Sequence, residues 1–191
     1  MISMEKMQQK VQSSMSVKRY LHTLGVVEEA KKMAAHYGDE SLVHKCEVAA
    51  LLHDIAKEYP ESLITQLCRE YKVCQEDIYK ENKELIHAVL GAESAKREYK
   101  IDDQDILNGI LYHTVGRAEM SLLEKIVYIA DYTEPNRKNF PGLLEARTLS
   151  YENLDATMVL IFEQTKVFLA SKNSEIHPES LKALAYYKER I

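Results

Sequence analysis

The stretch Cys46-Glu-Val-Ala-Ala-Leu-Leu-His-Asp-Ile-Ala-Lys57 is an apolar run in which an imidazole and a carboxylate stand side by side. Its composition predicts a helix that is buried in the core of the protein. Burying His53 and Asp54 together costs free energy unless another group pairs with them. Because a metal ion is the usual partner for such groups, this stretch predicts a metal site at the centre of the fold.

Further residues of metal-binding type occur in similar apolar surroundings, each in its own predicted helix. They are His22, His87, His113 and Asp131. With His53 and Asp54 they provide four imidazoles and two carboxylates, enough to hold two metal ions. The donors are nitrogen and oxygen without thiolate, which favours Fe, Mn or Co, or a catalytic Zn, over a structural zinc. Taken singly, each His could be a hydrogen-bonded core residue, and the Asp could cap a turn.

Helical patterns dominate from Ser16 onward, and no segment alternates for long enough to predict a strand. Ser16 and Asp39 are expected to cap helices that run through His36 and Lys57. Further helices are predicted near 61–71, 84–98, 103–114, 120–132, 152–171 and 179–190, with irregular segments at 72–83 and 133–142. The prediction is an all-α, single-domain helical bundle over residues 16–191, preceded by a loosely ordered N-terminal extension at 1–15.

Composition excludes several classes of function. The chain has 191 residues and a net charge of -5, which gives no general attraction for nucleic acid or an anionic membrane. No apolar run reaches the roughly 18 to 20 residues of a membrane span, and the N-terminus lacks a secretory apolar segment. The three cysteines form no CxxC pair or even framework, so we expect reduced thiols in a cytoplasmic protein.

The order His22, His53-Asp54, Asp131 resembles that of the HD-domain metal-dependent phosphohydrolases. The intervening His87 and His113 resemble the two-metal branch of that superfamily. A closer resemblance, over about residues 16–190, is to the YqeK family of symmetrical bis(5'-nucleosyl)-tetraphosphatases. The motifs that carry it are His53-Asp-Ile-Ala-Lys57, His113-Thr-Val-Gly-Arg117, Ala130-Asp-Tyr-Thr-Glu-Pro-Asn-Arg137, Phe140-Pro-Gly142 and Ile176-His-Pro178.

This resemblance implies cleavage of diadenosine tetraphosphate into two ADP, with a di-iron centre as the cofactor and Mn, Co or Zn as alternatives. It implies that one ion is held by His22, His53, Asp54 and Asp131, and the other by Asp54, His87 and His113. Asp54 would then bridge the two ions, and a metal-bridged hydroxide would attack phosphorus in line. The alternatives are a nucleotidase or phosphodiesterase acting on another nucleotide, or a non-catalytic nucleotide-binding regulator. A homodimer is a candidate assembly.

Four residues near the predicted donors are candidates for binding phosphate oxygens. Lys57 is expected one turn beyond the metal ligands, as a second catalytic residue beside Asp54. Thr114, Arg117 and Arg137 follow His113 and Asp131 in loop-like segments, where substrate contacts are common. The alternatives are a solvated Lys57 paired with Glu58 or Glu61, arginines in surface ion pairs, and a Thr114 hydroxyl bonded to a backbone carbonyl.

Overall fold

A computed structural model of the protein describes residues 3–73 and 83–191, except for the side chains of residues 83 and 84. This part of the chain forms ten α-helices and no strand, which confirms the all-α prediction. The helices are α1 (Met4–Ser13), α2 (Val17–Tyr37), α3 (Glu40–Leu52), α4 (Glu61–Tyr71), α5 (Lys83–Glu98), α6 (Gln104–Tyr112), α7 (Leu122–Thr133), α8 (Leu143–Leu149), α9 (Leu154–Ser171) and α10 (Pro178–Lys188). Most of the segment predicted as irregular at 72–83 lies outside the described residues.

Helix α3 lies at the centre of the bundle, in contact with α1, α2, α5, α6 and α7. Every residue from Val48 to Leu52 is buried, because this last part of the helix is apolar on all sides. Gly109 lets α6 approach closely, since a Cβ atom there would lie 2.6 Å from Leu123 and 3.4 Å from Ala49. The site that follows α3 in the sequence is therefore held in the middle of the core.

The expected capping residues are confirmed. The Ser16 hydroxyl accepts from the backbone N–H of Arg19, and the Asp39 carboxylate accepts from that of Leu42. These bonds satisfy N–H groups that have no partner inside the helix. They fix where α2 and α3 begin, and hence which of their residues face the centre.

The helix expected through Lys57 ends earlier, at Leu52. Residues 53–58 form successive turns, in which the N–H groups of Ile55 and Lys57 donate to the carbonyls of Leu52 and Asp54. Such bonds to the third preceding residue wind the chain more tightly than an α-helix. Pro60 then restricts the residue before it to extended backbone, so the helix cannot continue into α4.

The N-terminal segment differs from the loosely ordered extension that its weak pattern predicts. Residues 4–13 form α1, capped by Ser3, and its Met7 and Val11 are fully buried in the main core. The apolar spacing of four residues places both side chains on one face, which packs against α2 and α3. A second difference is the short helix α8, which the sequence did not predict.

The docking of α1 gives a first prediction. Met7→Ala should lower the free energy of unfolding by about 2 to 5 kcal/mol, because it removes a fully buried side chain. Gln9→Ala, on the exposed face of the same helix, is the matched control and should change it by less than about 0.5 kcal/mol. Urea unfolding followed by circular dichroism measures both. Equal stability of the two variants would mean that α1 is not part of the cooperative fold.

Candidate metal centre

Five parts of the fold bring the six predicted donors together. His22 comes from α2, His87 from α5 and Asp131 from α7, while His53 and His113 are the residues at which α3 and α6 end. Asp54 follows in the first of the tight turns. His53, Asp54, His87 and His113 are buried. Donor atoms of the six residues fall into three overlapping groups, within each of which they lie at most 4.8 Å apart.

The two oxygens of Asp54 face different pairs of imidazoles. Oδ2 lies 3.3 Å from Nε2 of His53 and 3.7 Å from Nε2 of His22. Oδ1 lies 3.3 Å from Nε2 of His87 and 3.7 Å from Nε2 of His113. The carboxylate thus stands between two sets of nitrogen donors, with one oxygen directed to each.

Hydrogen bonds on the far side of the rings fix the tautomers of three histidines. Nδ1 of His53 lies 2.7 Å from the carbonyl of Ala50, and Nδ1 of His113 lies 2.6 Å from that of Ile110. Nδ1 of His22 lies 3.1 Å from Oε1 of Glu134. Because these oxygens accept hydrogen bonds, each Nδ1 donates to its partner, and Nε2 is the ring nitrogen that faces Asp54.

Two of these inward nitrogens have no hydrogen bond. Nε2 of His22 and Nε2 of His53 are shielded from solvent and lack a partner among the described residues. Nε2 of His22 also lies 3.0 Å from Oδ1 of Asp131. Lone pairs of nitrogen and oxygen that face one another this closely need a cation or a proton between them. The donor set and its geometry therefore fit a divalent metal ion.

The pKa shifts of the buried donors arise from the same close approach of imidazoles and carboxylates. Burial opposes ionisation of Asp54, but the His53 and His113 imidazoles outweigh it and lower the pKa of this carboxyl. Burial likewise opposes ionisation of Asp131, while the adjacent His22 and His53 imidazoles and the Arg137 guanidinium lower its pKa. Burial disfavours charge on His53, yet Asp54 raises its pKa. Both carboxylates depend on positive charge at this point, which a metal ion would supply.

Glu134 supports the site from outside the set of predicted donors. It is buried, one carboxylate oxygen meets His22, and the other accepts from the backbone N–H of Asn136 at 2.5 Å. Room for it exists because residue 25 is a glycine. A Cβ atom on Gly25 would lie 2.4 Å from Oε2 of Glu134 and 2.8 Å from the side-chain nitrogen of Asn136.

A cavity of about 320 Å³ opens onto the donors. Lys57, Thr114 and Arg137, which are three of the four phosphate-binding candidates, line it. Nζ of Lys57 lies 3.3 Å from Nδ1 of His87, and the Thr114 hydroxyl lies 3.1 Å from Nε2 of His113. Arg137 donates to the backbone carbonyl and to Oδ1 of Asp131, the latter at 2.6 Å.

Arg117 is not brought to this cavity. Its guanidinium donates to both carboxylate oxygens of the buried Glu124 and lies over the ring of Tyr112. Glu124 also completes the capping box at the start of α7. These contacts join the end of α6 to the start of α7, and the role of Arg117 in substrate binding stays a prediction.

The sequence reasoning missed Arg19, which also lines the cavity. Its Nη1 lies 2.7 Å from Oδ2 of Asp54. A usable signal was present, because Arg19 lies three residues before His22 on the same face of α2. Arg19, Lys57 and Arg137 together place three cationic side chains around the donors.

A converging set of His and Asp donors inside an all-helical bundle defines the metal-dependent HD class. Residues 19–136 match the family model described as the HD domain, so the chain belongs to the HD-domain family. Within it, the resemblance to the YqeK group is confirmed. A symmetrical bis(5'-nucleosyl)-tetraphosphatase of Halalkalibacterium halodurans is 42% identical over 91% of this chain and 90% of its own length. That of Bacillus subtilis is 40% identical over 89% of each.

The structural comparison agrees. A crystal structure of a "predicted HD superfamily hydrolase involved in NAD metabolism" from Clostridium acetobutylicum matches all of this chain and all of its own. The TM-score is 0.92 and the sequence identity is 37%. None of the helices that the structure describes is both long and apolar enough to cross a membrane.

The space at Gly25 gives a second prediction. Gly25→Ala should push Glu134 away from His22 and weaken metal binding roughly 10- to 100-fold, the usual effect of losing such a supporting contact. Gly91→Ala is the matched control, because a Cβ atom there would meet its nearest neighbour at 3.4 Å. Metal retained after dialysis against a weak chelator, measured by mass spectrometry, compares the two. Equal retention would show that Glu134 does not support the site.

Proposed function

We propose that this protein hydrolyses dinucleoside tetraphosphates, and diadenosine tetraphosphate symmetrically into two ADP. The observation that carries the proposal is the 320 Å³ cavity, in which four of the six predicted donors line the wall together with three cationic side chains. The donors are Asp54, His87, His113 and Asp131, and the cationic side chains are Arg19, Lys57 and Arg137. A polyanionic substrate needs local positive charge in a protein whose net charge is -5. The names of the relatives from Halalkalibacterium, Bacillus and Staphylococcus support the same activity.

The donor set supports two metal ions with Asp54 between them. His22, His53, Asp54 and Asp131 would hold one ion, and Asp54, His87 and His113 the other. The division follows the two oxygens of Asp54, each of which faces its own pair of histidines. Iron is the proposed metal, with Mn, Co or Zn compatible with the same nitrogen and oxygen donors.

Two bound cations would acidify a water molecule and neutralise phosphate oxygens, so no protein nucleophile is needed. The chain's own part is to place the phosphates. Lys57 and Arg137 line the cavity and can bind non-bridging oxygens, Arg137 through its planar fork. Arg19 can act in the same way, and the Thr114 hydroxyl can donate a hydrogen bond. These contacts would set which phosphorus is presented for attack.

The alternatives are less well supported. A non-catalytic regulator needs no carboxylate with both oxygens directed to separate histidine pairs. A nucleotidase or phosphodiesterase would use the same donors, and the relatives favour the tetraphosphatase. A homodimer, a cytoplasmic location and the absence of nucleic-acid partners stay predictions.

The bridging role of Asp54 gives a third prediction. Asp54→Ala should lose both metal ions, whereas His87→Ala should mainly weaken one of them. Asp102→Ala removes an exposed carboxylate and should leave the metal content unchanged. Mass spectrometry of the metals in freshly purified protein measures all three. An unchanged stoichiometry in Asp54→Ala would remove the bridging assignment.

The position of the broken bond gives a fourth prediction. In ¹⁸O-labelled water, diadenosine tetraphosphate should give two ADP, with one labelled oxygen entering one of them per turnover. The central P–O–P bond breaks, and the water oxygen joins one inner phosphorus. Liquid chromatography with mass spectrometry identifies the products and the label, with chelator-treated protein as the control. ATP plus AMP, or label in AMP, would contradict symmetrical cleavage, and no metal-dependent cleavage would contradict the proposed function.

A further inference from the structure

A second cavity, of about 530 Å³, opens directly beside the metal-centre cavity. Tyr132, Arg137 and Thr165 line both, so the two spaces adjoin each other. The rest of its wall comes from the connection after α7 and from the second half of α9. These residues are Phe140, Pro141, Gln164, Val167, Phe168 and Ser171.

The two cavities differ in chemistry. Charged and imidazole groups surround the first, whereas aromatic and aliphatic side chains form most of the second. Phe168 is 60% exposed and Val167 66% exposed, and the Phe140 ring meets Tyr132 edge to face at 5.1 Å. Apolar side chains exposed around a concave surface are typical of a ligand site. The cation that stands between the two cavities is Arg137.

We infer that the second cavity binds one nucleoside of the substrate, an inference that rests on the proposed function. A nucleotide has a flat aromatic base joined to a polyanionic chain. The paired cavities match this arrangement, because the apolar second cavity adjoins the first cavity with its cationic side chains. The base would stack on Phe168 and Phe140, since base–aromatic stacking contributes about 1 to 3 kcal/mol. Arg137 would meet the phosphate nearest the ribose while the chain extends to the metal donors.

Gln164 supplies polar recognition within this otherwise apolar wall. Its side-chain amide lies against residue 142, where a Cβ atom would meet its Cδ and Nε2 at 2.9 Å. Gly142 leaves that space and has a φ of 87°, a backbone conformation that suits glycine. The amide offers both a donor and an acceptor, which can pair with the edge of a base.

The test compares a ligand that has a base with one that lacks it. Isothermal titration of the metal-loaded protein with ADP and with inorganic pyrophosphate should show that Phe168→Ala weakens ADP binding about tenfold. Pyrophosphate binding should stay unchanged, because the phosphate contacts are intact. Leu144→Ala removes an apolar side chain that is 78% exposed outside the cavity, and should change neither affinity. Phe140→Leu, which keeps an apolar contact, should weaken ADP binding by a smaller factor.

The outcomes separate this inference from the proposed function, because ADP binding does not require turnover. Unchanged ADP affinity in Phe168→Ala would overturn the nucleoside site, and so would equal weakening of ADP and pyrophosphate. Sedimentation of the same variants tests a second copy of the chain as the occupant. Dissociation of an oligomer by Phe168→Ala, with ADP affinity unchanged, would assign the surface to self-association instead.

Discussion

The carboxylate of Asp54 is the point at which the structure converges. It is almost fully buried, and four imidazoles from four different parts of the fold are directed at its two oxygens. A buried charge of this kind is costly unless other charges and hydrogen bonds compensate for it. The surrounding bundle is therefore organised around a requirement for positive charge at one place. Loss of metal should affect folding and chemistry together, since the same residues serve both.

The rest of the core holds the donors in the correct state as well as in the correct place. The Nδ1 atoms of His53 and His113 are bonded to carbonyls of their own helices, three residues earlier. Glu134 does the same for His22 from another helix end. These contacts select the tautomer whose Nε2 lone pair faces inward, so the rings are prepared for a metal before one arrives. Preorganisation of this kind reduces the cost of assembling the site.

Much of the fold and the metal donors could be predicted from the sequence, because burial of polar groups in apolar helices is visible as a pattern. The tight turns at 53–58 could not, since their residues look as helical as those before them. Arg117 and Arg137 illustrate a second limit. Both follow a donor in a loop-like segment. Only the folded chain shows that Arg117 is bonded to Glu124, whereas Arg137 lines the cavity. The residue type predicts which groups a side chain can bind, whereas its orientation in the folded protein decides which groups it contacts.

The sequence pattern also gave little indication that the N-terminal segment forms a packed helix. A short stretch with only a few apolar residues gives a weak period, and its helix becomes stable only through contacts with α2 and α3. Glu134 and Gly25 form a similar case, because their relation depends on two helices meeting at one point. Such pairings between distant segments leave no periodic trace along the chain.

The wall of the second cavity has a consequence for how this fold can diversify. Its residues 140, 141, 164, 167, 168 and 171 lie in the connection after α7 and in the second half of α9, and none of them is a metal donor. Most of them are exposed, so their replacement disturbs little of the core. Substitutions in this patch could change which organic group of a ligand the cavity binds, while the hydrolytic centre stays intact. Selection for a new substrate and selection for a stable protein would then act on separate sets of positions.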